Sequence, residues 1–390
     1  MKGPATELIH AGEADLCLAV PLTTPIYETT TFVFDAAQEV LAYNEGRSQK
    51  YLYSRYSNPT IVSVEKKLAA IDRAEAALAF SSGMGATTTI LMALVKAGEE
   101  VVCSSAIYGG TLHLLADLLT NFGVHVRFVS LDQLGRPDDV LSDRTRVLWF
   151  ESPINPTLRC VDVARVARAC RARGVLSVID NTFASPINQQ PLAMGVDLAM
   201  QSATKYLNGH SDVTGGAVAG SKDLVDRIGK ARRLLGTVMD PYPAYALGRG
   251  LKTLPLRVAR HNANAQAVAE FLAQDRRVSQ VYYPGLVSHP DHDIARRQMT
   301  GFGGMVCFDL DGRYERAAAV YDRLRVIKRA ASLGGVESLV SMPVLTSQWG
   351  HTDEQLRDAG VTKGMLRMSV GLEDTADLIA DLDQALGPNS

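Results

Sequence analysis

Ala76-Ala77-Leu78-Ala79-Phe80-Ser81-Ser82-Gly83-Met84-Gly85 opens as a short apolar run and closes in a turn of small residues, and Ala86 to Val95 then continues as an apolar helix. A run this short, bounded by small residues, suits a buried strand better than a helix. The same unit recurs outward from it. Glu100 to Ser104, Val124 to Val129, Val147 to Phe150, Val175 to Ile179 and Leu198 to Gln201 are strand-like, with helical stretches such as Gly109 to Asn121 and Val161 to Arg173 between most of them. Upstream, Ile61 to Ala70 reads as a helix after Asn58-Pro59-Thr60. Strands alternating with helices at this spacing predict an α/β domain built on a mostly parallel sheet.

The flanks read differently. Pro, Thr and Tyr are dense from Pro21 to Pro59 and helical periodicity is weak, so residues 1–60 are expected to form an arm across another surface. Residues 61–255 hold the α/β domain. Leu256 to Gln274 predicts one long amphipathic helix between domains, followed by a strand at Met305 to Leu310 and helices at Tyr314 to Leu324 and Thr375 to Leu386. Residues 256–390 are therefore expected to form a smaller α+β domain.

Composition narrows the function. With 46% hydrophobic and 21% charged residues in 390, a large core can form and wholesale disorder is excluded. A net charge of −2 supplies no basic field for nucleic acid or an anionic membrane. No apolar run is long enough to span a bilayer, and Met1-Lys2-Gly3-Pro4-Ala5-Thr6-Glu7 contains no apolar signal core, so no export is expected. Cys17, Cys103, Cys160, Cys170 and Cys307 are scattered and never form a CxxC pair, which argues against disulfides and zinc and for a cytoplasmic, reducing setting. Cys103 and Cys307 lie in apolar runs, where an inert buried thiol is expected.

In an open parallel sheet, chemistry gathers beyond the C-terminal strand ends. Three segments bring polar residues there. Ser81-Ser82-Gly83-Met84-Gly85 opens a helix whose free N–H groups and dipole suit a phosphate, though such a loop is more often a plain turn. It is no dinucleotide fingerprint, because Thr88 stands where that pattern wants Gly or Ala. Asp180, directly after an apolar strand, is either a loop anchor or a carboxylate held ready for a heteroaromatic nitrogen. Lys205, in Gln201-Ser202-Ala203-Thr204-Lys205-Tyr206, is either a solvated lysine or one with a depressed pKa suited to covalent chemistry. Ser202 and Thr204 are expected on one face of an extended segment, reaching one phosphate. A phosphate cradle, an aspartate and a lysine on successive strand ends are the parts that pyridoxal phosphate requires. The lysine would form a Schiff base and the aspartate would keep the pyridine nitrogen protonated.

The chain also resembles the Cys/Met-metabolism family of pyridoxal phosphate enzymes, from about Thr24 to Leu386. The matching pieces include Pro25-Ile26-Tyr27, Tyr53-Ser54-Arg55, Asn58-Pro59-Thr60, Tyr108-Gly109-Gly110-Thr111 and Glu151-Ser152-Pro153-Ile154-Asn155-Pro156. Ser332-Leu333-Gly334-Gly335 and Arg367-Met368-Ser369-Val370-Gly371 follow downstream. The resemblance implies a fold type I pyridoxal phosphate enzyme, a homotetramer made of dimers, acting on a small sulfur amino acid. It implies that Lys205 is the Schiff-base lysine and proton carrier, that Asp180 pairs with the pyridine nitrogen, and that Tyr108 stacks on the ring and assists at the leaving group. Gly83, Met84, Ser202 and Thr204 would hold the phosphate, and Tyr53 and Arg55 would reach the phosphate of a neighbouring subunit. Asn155 would lie near the ring hydroxyl, and Arg367, with Ser332 nearby, would clamp the substrate carboxylate. Without the resemblance, Arg367 reads as a surface ion pair.

The family's reactions share these residues, so the motifs do not separate them. The closing Ser369 to Leu386 run leans to γ-elimination from cystathionine or methionine. Cystathionine γ-synthase activity on an acylated homoserine comes second and a β-lyase third. A binding protein without turnover is argued against by intact Lys205, Tyr108 and Arg367. Departures are Gly110, where methionine γ-lyases commonly carry Cys, and Ala331, where cystathionine γ-lyases commonly carry Glu. Val344 to His351 also departs from the usual pattern and is expected at the substrate mouth. His289-Pro290-Asp291-His292-Asp293 lacks a zinc-site pattern, and no metal is expected. Trp149 reads as core, whereas Trp349 in its polar stretch is ambiguous.

Overall fold

Central strands of a sheet covered on both faces read as unbroken apolar runs, and Val147-Leu148-Trp149-Phe150 is such a run, with no exposed surface. It belongs to a seven-stranded sheet. In chain order its strands are β1 (Ala76–Phe80), β2 (Glu100–Ser104), β3 (His125–Val129), β4 (Thr145–Glu151), β5 (Leu176–Asp180), β6 (Leu198–Gln201) and β7 (Gly216–Gly220). Their spatial order is β1-β7-β6-β5-β4-β2-β3. β2 to β6 pair in parallel, and β7 runs antiparallel between β6 and β1. This computed structural model describes residues 21–388; the Met1–Glu7 segment and Cys17, read above for export and thiol chemistry, lie outside them.

Alternate side chains of the strands feed two cores. On one face Phe80, Cys103, Trp149, Val178 and Met200 meet the helices Gly83–Leu94 and Lys222–Leu235 through Ile90, Leu91, Val225 and Ile228. On the other, Ala77, Ala79, Ala217 and Ala219 meet Ile61, Val64 and Leu68 of helix Pro59–Asp72, while Leu148, Phe150 and Ile179 meet helix Val163–Ala172. Both sides being covered, every strand end opens at the rim of the sheet, where the polar segments sit.

A second, five-stranded sheet follows: β8 (Gln280–Tyr282), β9 (Met305–Asp309), β10 (Lys328–Arg329), β11 (Leu339–Ser341) and β12 (Met365–Ser369), in the order β10-β11-β12-β9-β8. Only β10 and β11 pair in parallel. The helix Leu254–Gln274 joins the two cores. Leu254 and Val258 pack with Ala203, Tyr206 and Leu207, whereas Val268 and Leu272 pack with Val306, Phe308 and Met368.

Three expectations change. β7 is absent from the strands read in the sequence, because Gly216-Ala217-Val218-Ala219-Gly220 has almost no side-chain bulk. Its glycines are required by close approach: a β-carbon on Gly216 would lie 2.2 Å from the Ser82 carbonyl oxygen. The expected helix from Gly109 to Asn121 is α-helical only over Gly109–His113; it widens to a π-type turn at Leu114–Leu118 and tightens to 3-10 at Leu119–Phe122. Ser202 to Thr204 is not extended, since the Lys205 amide donates to the Ser202 carbonyl at 3.1 Å and closes a turn directly after β6.

Trp149 is fully buried, whereas Trp349 is 73% exposed. Burial pushes the thiols of Cys103 and Cys307 above their ordinary range, which leaves both protonated and unreactive. Around His289, Asp291 is engaged by Arg159 and by the Cys160 amide. Among the described residues no three His, Cys, Asp or Glu side chains gather to hold a metal, and no helix is long and apolar enough to cross a membrane.

Candidate active site

The rim of the large sheet supplies most of the site, and each polar group is placed by the strand that ends beneath it. After β1, Ser82 caps the helix Gly83–Leu94 by accepting from the Gly85 amide at 2.9 Å. The Gly83 and Met84 amides, at the first helical positions, have no intrahelical acceptor. They form an anion-ready nest at the positive end of the helix dipole. Ser202 faces them across the rim: a β-carbon on Gly83 would stand 3.0 Å from the Ser202 hydroxyl oxygen. Thr204 turns elsewhere. Its hydroxyl donates to the Gly215 carbonyl at 3.2 Å and accepts from the Gly215 amide at 2.9 Å, so the turn puts the two hydroxyls on different partners.

Asp180 ends β5. One carboxylate oxygen accepts from the Thr182 amide at 3.0 Å, and burial raises its pKa despite that bond. The Thr182 hydroxyl accepts in turn from the Ser202 amide at 2.8 Å, which ties the aspartate loop to the lysine loop. Beside Asp180, in register on β4, stands Glu151, and its Oε1 accepts from the Tyr108 amide at 2.6 Å. The Tyr108 ring is 50% exposed, open to a flat partner. Gly110 makes that placement possible, because a β-carbon there would lie 2.5 Å from the Tyr108 ring and 2.9 Å from Met84 Sδ. A cysteine at this position would therefore require Tyr108 or Met84 to move.

The small sheet closes the site from the other side. Lys205 Nζ donates to the Ser332 hydroxyl at 3.0 Å. Its pKa is lowered first by burial and then by the charge of Arg367. A larger share of free amine at neutral pH follows, which is what a nucleophile and proton acceptor needs. Arg367, on β12, is only 8% exposed; it donates to Asn155 Oδ1 at 2.8 Å and to the Ser332 carbonyl at 3.5 Å. Its Nε has no partner. The surface reading of this arginine is thus replaced by a buried cation aimed beside the lysine.

Lys205, Ser332, Arg367 and Asn155 are therefore brought together, as are Gly83, Met84 and Ser202, and as are Asp180 and Tyr108 through Glu151. Tyr53 and Arg55 stand apart. Within the chain the Arg55 guanidinium lies over the rings of Tyr53 and Tyr56, at 5.4 and 5.0 Å, and donates to the Arg233 carbonyl at 2.7 Å. Two residues received no role from the sequence. Thr182 and Glu151 reach the site through neighbours on adjacent strands, a relation that strand order creates.

The profile of the Cys/Met metabolism PLP-dependent enzyme family matches residues 5–387. The chain belongs to this family. Its cofactor is pyridoxal 5'-phosphate and its fold is type I of the enzymes that use it. The chain is 42% identical to an L-methionine gamma-lyase of Pseudomonas putida over 388 residues, covering 99% of this chain and 98% of the relative. It is equally 42% identical to a cystathionine gamma-synthase of Mycobacterium bovis over 391 residues, covering 99% and 97%. Among solved structures, a cystathionine gamma-lyase from Lactobacillus plantarum, complexed with L-serine, superposes with a TM-score of 0.87 at 36% identity, covering 93% of this chain and 92% of the other. The residues fit the cofactor of the Cys/Met family: two free amides and a hydroxyl for a phosphate, a partly buried carboxylate for a ring nitrogen, a desolvated amine and an open aromatic face.

Proposed function

We propose that this Cys/Met-family enzyme cleaves the C–S bond of L-cystathionine or L-methionine by α,γ-elimination, releasing a thiol, ammonia and 2-oxobutanoate. The observation that carries the reading is the Lys205–Ser332–Arg367 arrangement, in which an amine of lowered pKa donates to the Ser332 hydroxyl and a buried guanidinium donates to the carbonyl of the same residue. Arg367 holds the substrate carboxylate by a forked pair. That fixes the α-carbon beside the Lys205 amine, which accepts the α-proton and moves it onward. Bound pyridoxal phosphate supplies the electron sink that makes the α-proton acidic. With the cofactor bound, Tyr108 would cover the ring and serve a proton at the leaving group, Asp180 would keep the pyridine nitrogen protonated, and Asn155, which accepts from Arg367, would lie near the ring hydroxyl. Gly83, Met84 and Ser202 would seat the phosphate, whereas Thr204, whose hydroxyl is committed to Gly215, would brace the turn behind it.

Cystathionine γ-synthase activity is the second reading, favoured by the equal identity to the Mycobacterium bovis enzyme. The deciding assay gives the cofactor-loaded protein L-cystathionine or L-methionine with no added nucleophile and measures 2-oxobutanoate. Release supports elimination, and the preferred substrate separates its two kinds. An intact visible cofactor band without release would overturn it in favour of replacement, for which acylated homoserine plus cysteine is the substrate pair.

The proposed assembly is a homotetramer made of dimers, in which Tyr53 and Arg55 reach the phosphate held by the neighbouring subunit. Leu22 and Val33 of the arm are almost fully exposed in the single chain, as apolar groups awaiting a second surface are. Arg55→Ala is expected to weaken cofactor binding about 10- to 100-fold, the worth of one charge-assisted phosphate contact. Titration of the apoenzyme with pyridoxal phosphate measures this, and an unchanged dissociation constant would count against the crossing arm.

A further inference from the structure

We propose that Glu151 is a positioning residue, a neutral carboxylic acid that holds the Tyr108 main chain against the strand end carrying Asp180 and leaves the pair's single negative charge on Asp180. The inference rests on the reading of the site as a pyridoxal phosphate site and goes beyond the roles assigned there.

Glu151 is the last residue of β4 and only 4% exposed, and its register partner on the parallel strand β5 is Asp180. Adjacent strands lie about 4.8 Å apart and paired side chains project to the same face, so a buried carboxyl, Glu151, and a partly buried one, Asp180, share one rim. Among the described residues, no positive charge stands against either carboxyl. Glu151 accepts from the Tyr108 amide and stands near the protonated Cys103 thiol of β2, while Asp180 accepts from the Thr182 amide. Two carboxylates this close, with no cation between them, do not both ionise. On the proposed reading Asp180 would face the pyridine nitrogen, whose proton would offset its charge. Glu151 has only an amide to face and keeps its own proton; burial first, and the charge of Asp180 second, push its pKa well above the ordinary carboxylic range.

The acid matters because of what it holds. Tyr108 precedes a helix of one turn, Gly109–His113, and its ring is half exposed, so side-chain packing alone does not fix it. The 2.6 Å bond to Glu151 anchors its backbone to the sheet. Tyr108 and Asp180, expected on the face and the edge of one ring, are thereby held to one pair of strand ends.

The test uses the holoenzyme and three variants, read by visible absorption and circular dichroism of the bound cofactor, by its dissociation constant and by kinetics. Glu151→Gln keeps the acceptor oxygen and is always neutral. It is expected to leave cofactor affinity within about twofold and the pH midpoint of the visible band unmoved. Glu151→Asp withdraws the oxygen by one methylene and Glu151→Leu removes it. Both are expected to lose about half or more of the visible dichroism and about tenfold in kcat, with a smaller change in KM. A shift of about one pH unit in the Gln variant would show that Glu151 carries a charge and overturn the neutral-acid assignment. Native dichroism and kcat in the Asp and Leu variants would overturn the positioning role. If the Leu variant does not fold, the Gln and Asp pair decides alone. A wild-type protein that binds no pyridoxal phosphate would instead strike the reading of the site, so the two failures are distinct.

Discussion

Lys205→Ala is expected to remove the visible band of the bound cofactor and to lower turnover by about 10³- to 10⁴-fold in one step. Both effects come from one atom. In the proposed function this amine is both the covalent link to the cofactor aldehyde and the group that moves protons, and Ser332 and Arg367 beside it offer no second free amine. Positioned proton transfer alone is worth about 10²- to 10⁴-fold, and loss of the covalent tether adds to that. Because Lys205 occupies a turn pinned by the Lys205–Ser202 main-chain bond, the substitution leaves the backbone in place. The folded variant should therefore still hold the phosphate, detectable as cofactor that washes out on dialysis. Turnover at the wild-type rate with the band gone would take Lys205 out of the reaction.

The second large effect is expected at Arg367. Arg367→Leu should cost about 10²- to 10⁴-fold in kcat/KM, because two hydrogen bonds to a carboxylate, each worth about 1.5–3 kcal/mol, disappear together. Arg367→Lys should recover only a fraction, since a single ammonium cannot present the forked donor pair and does not reach Asn155 in the same geometry. The discriminating measurement compares L-methionine with its carboxamide, or L-cystathionine with the amide at its reacting end. Wild-type enzyme should strongly prefer the acid, and the Leu variant should be nearly indifferent. A Leu variant that keeps the full preference for the acid would move the carboxylate clamp elsewhere.

How far the sequence reveals this protein depends on which physical signal carries each part. β1 to β6 are legible because each is a short apolar run that includes bulky residues, from Leu78 and Phe80 in β1 to Leu198 and Met200 in β6, and leads into polar or small residues. β7 is illegible for the opposite reason: steric demand from Ser82 and from Asp197, whose carbonyl oxygen would lie 2.7 Å from a β-carbon on Gly220, strips it of the side chains that mark a strand. The helix Lys222–Leu235 also goes unread, because its charged face outnumbers the buried Val225 and Ile228. In the site, Lys205 and Asp180 announce themselves by standing at strand ends. Arg367 does not. Its burial comes from β9 and β11 on either side, and its partner Asn155 sits in a different sheet's loop. Glu151 closes an apolar strand much as a capping residue might, and only the adjacency of β4 and β5 turns it into the neighbour of Asp180.

The antiparallel strand β7 has a consequence for how the chain is made. Among the described residues, β1 is an edge strand whose one sheet neighbour is β7, and β7 also joins it to β6. A ribosome delivers Ala76–Phe80 long before Gly216–Gly220, so the apolar β1 and the anion-binding turn behind it emerge with no sheet to join. Until that distant partner arrives, β1 is an unpaired sticky segment. Assembly of the proposed cofactor cradle is thus a late event, set by the arrival of the glycine-flanked strand β7. Chains that stall or are cut before Gly216 would expose β1 and be substrates for chaperones rather than for the vitamin.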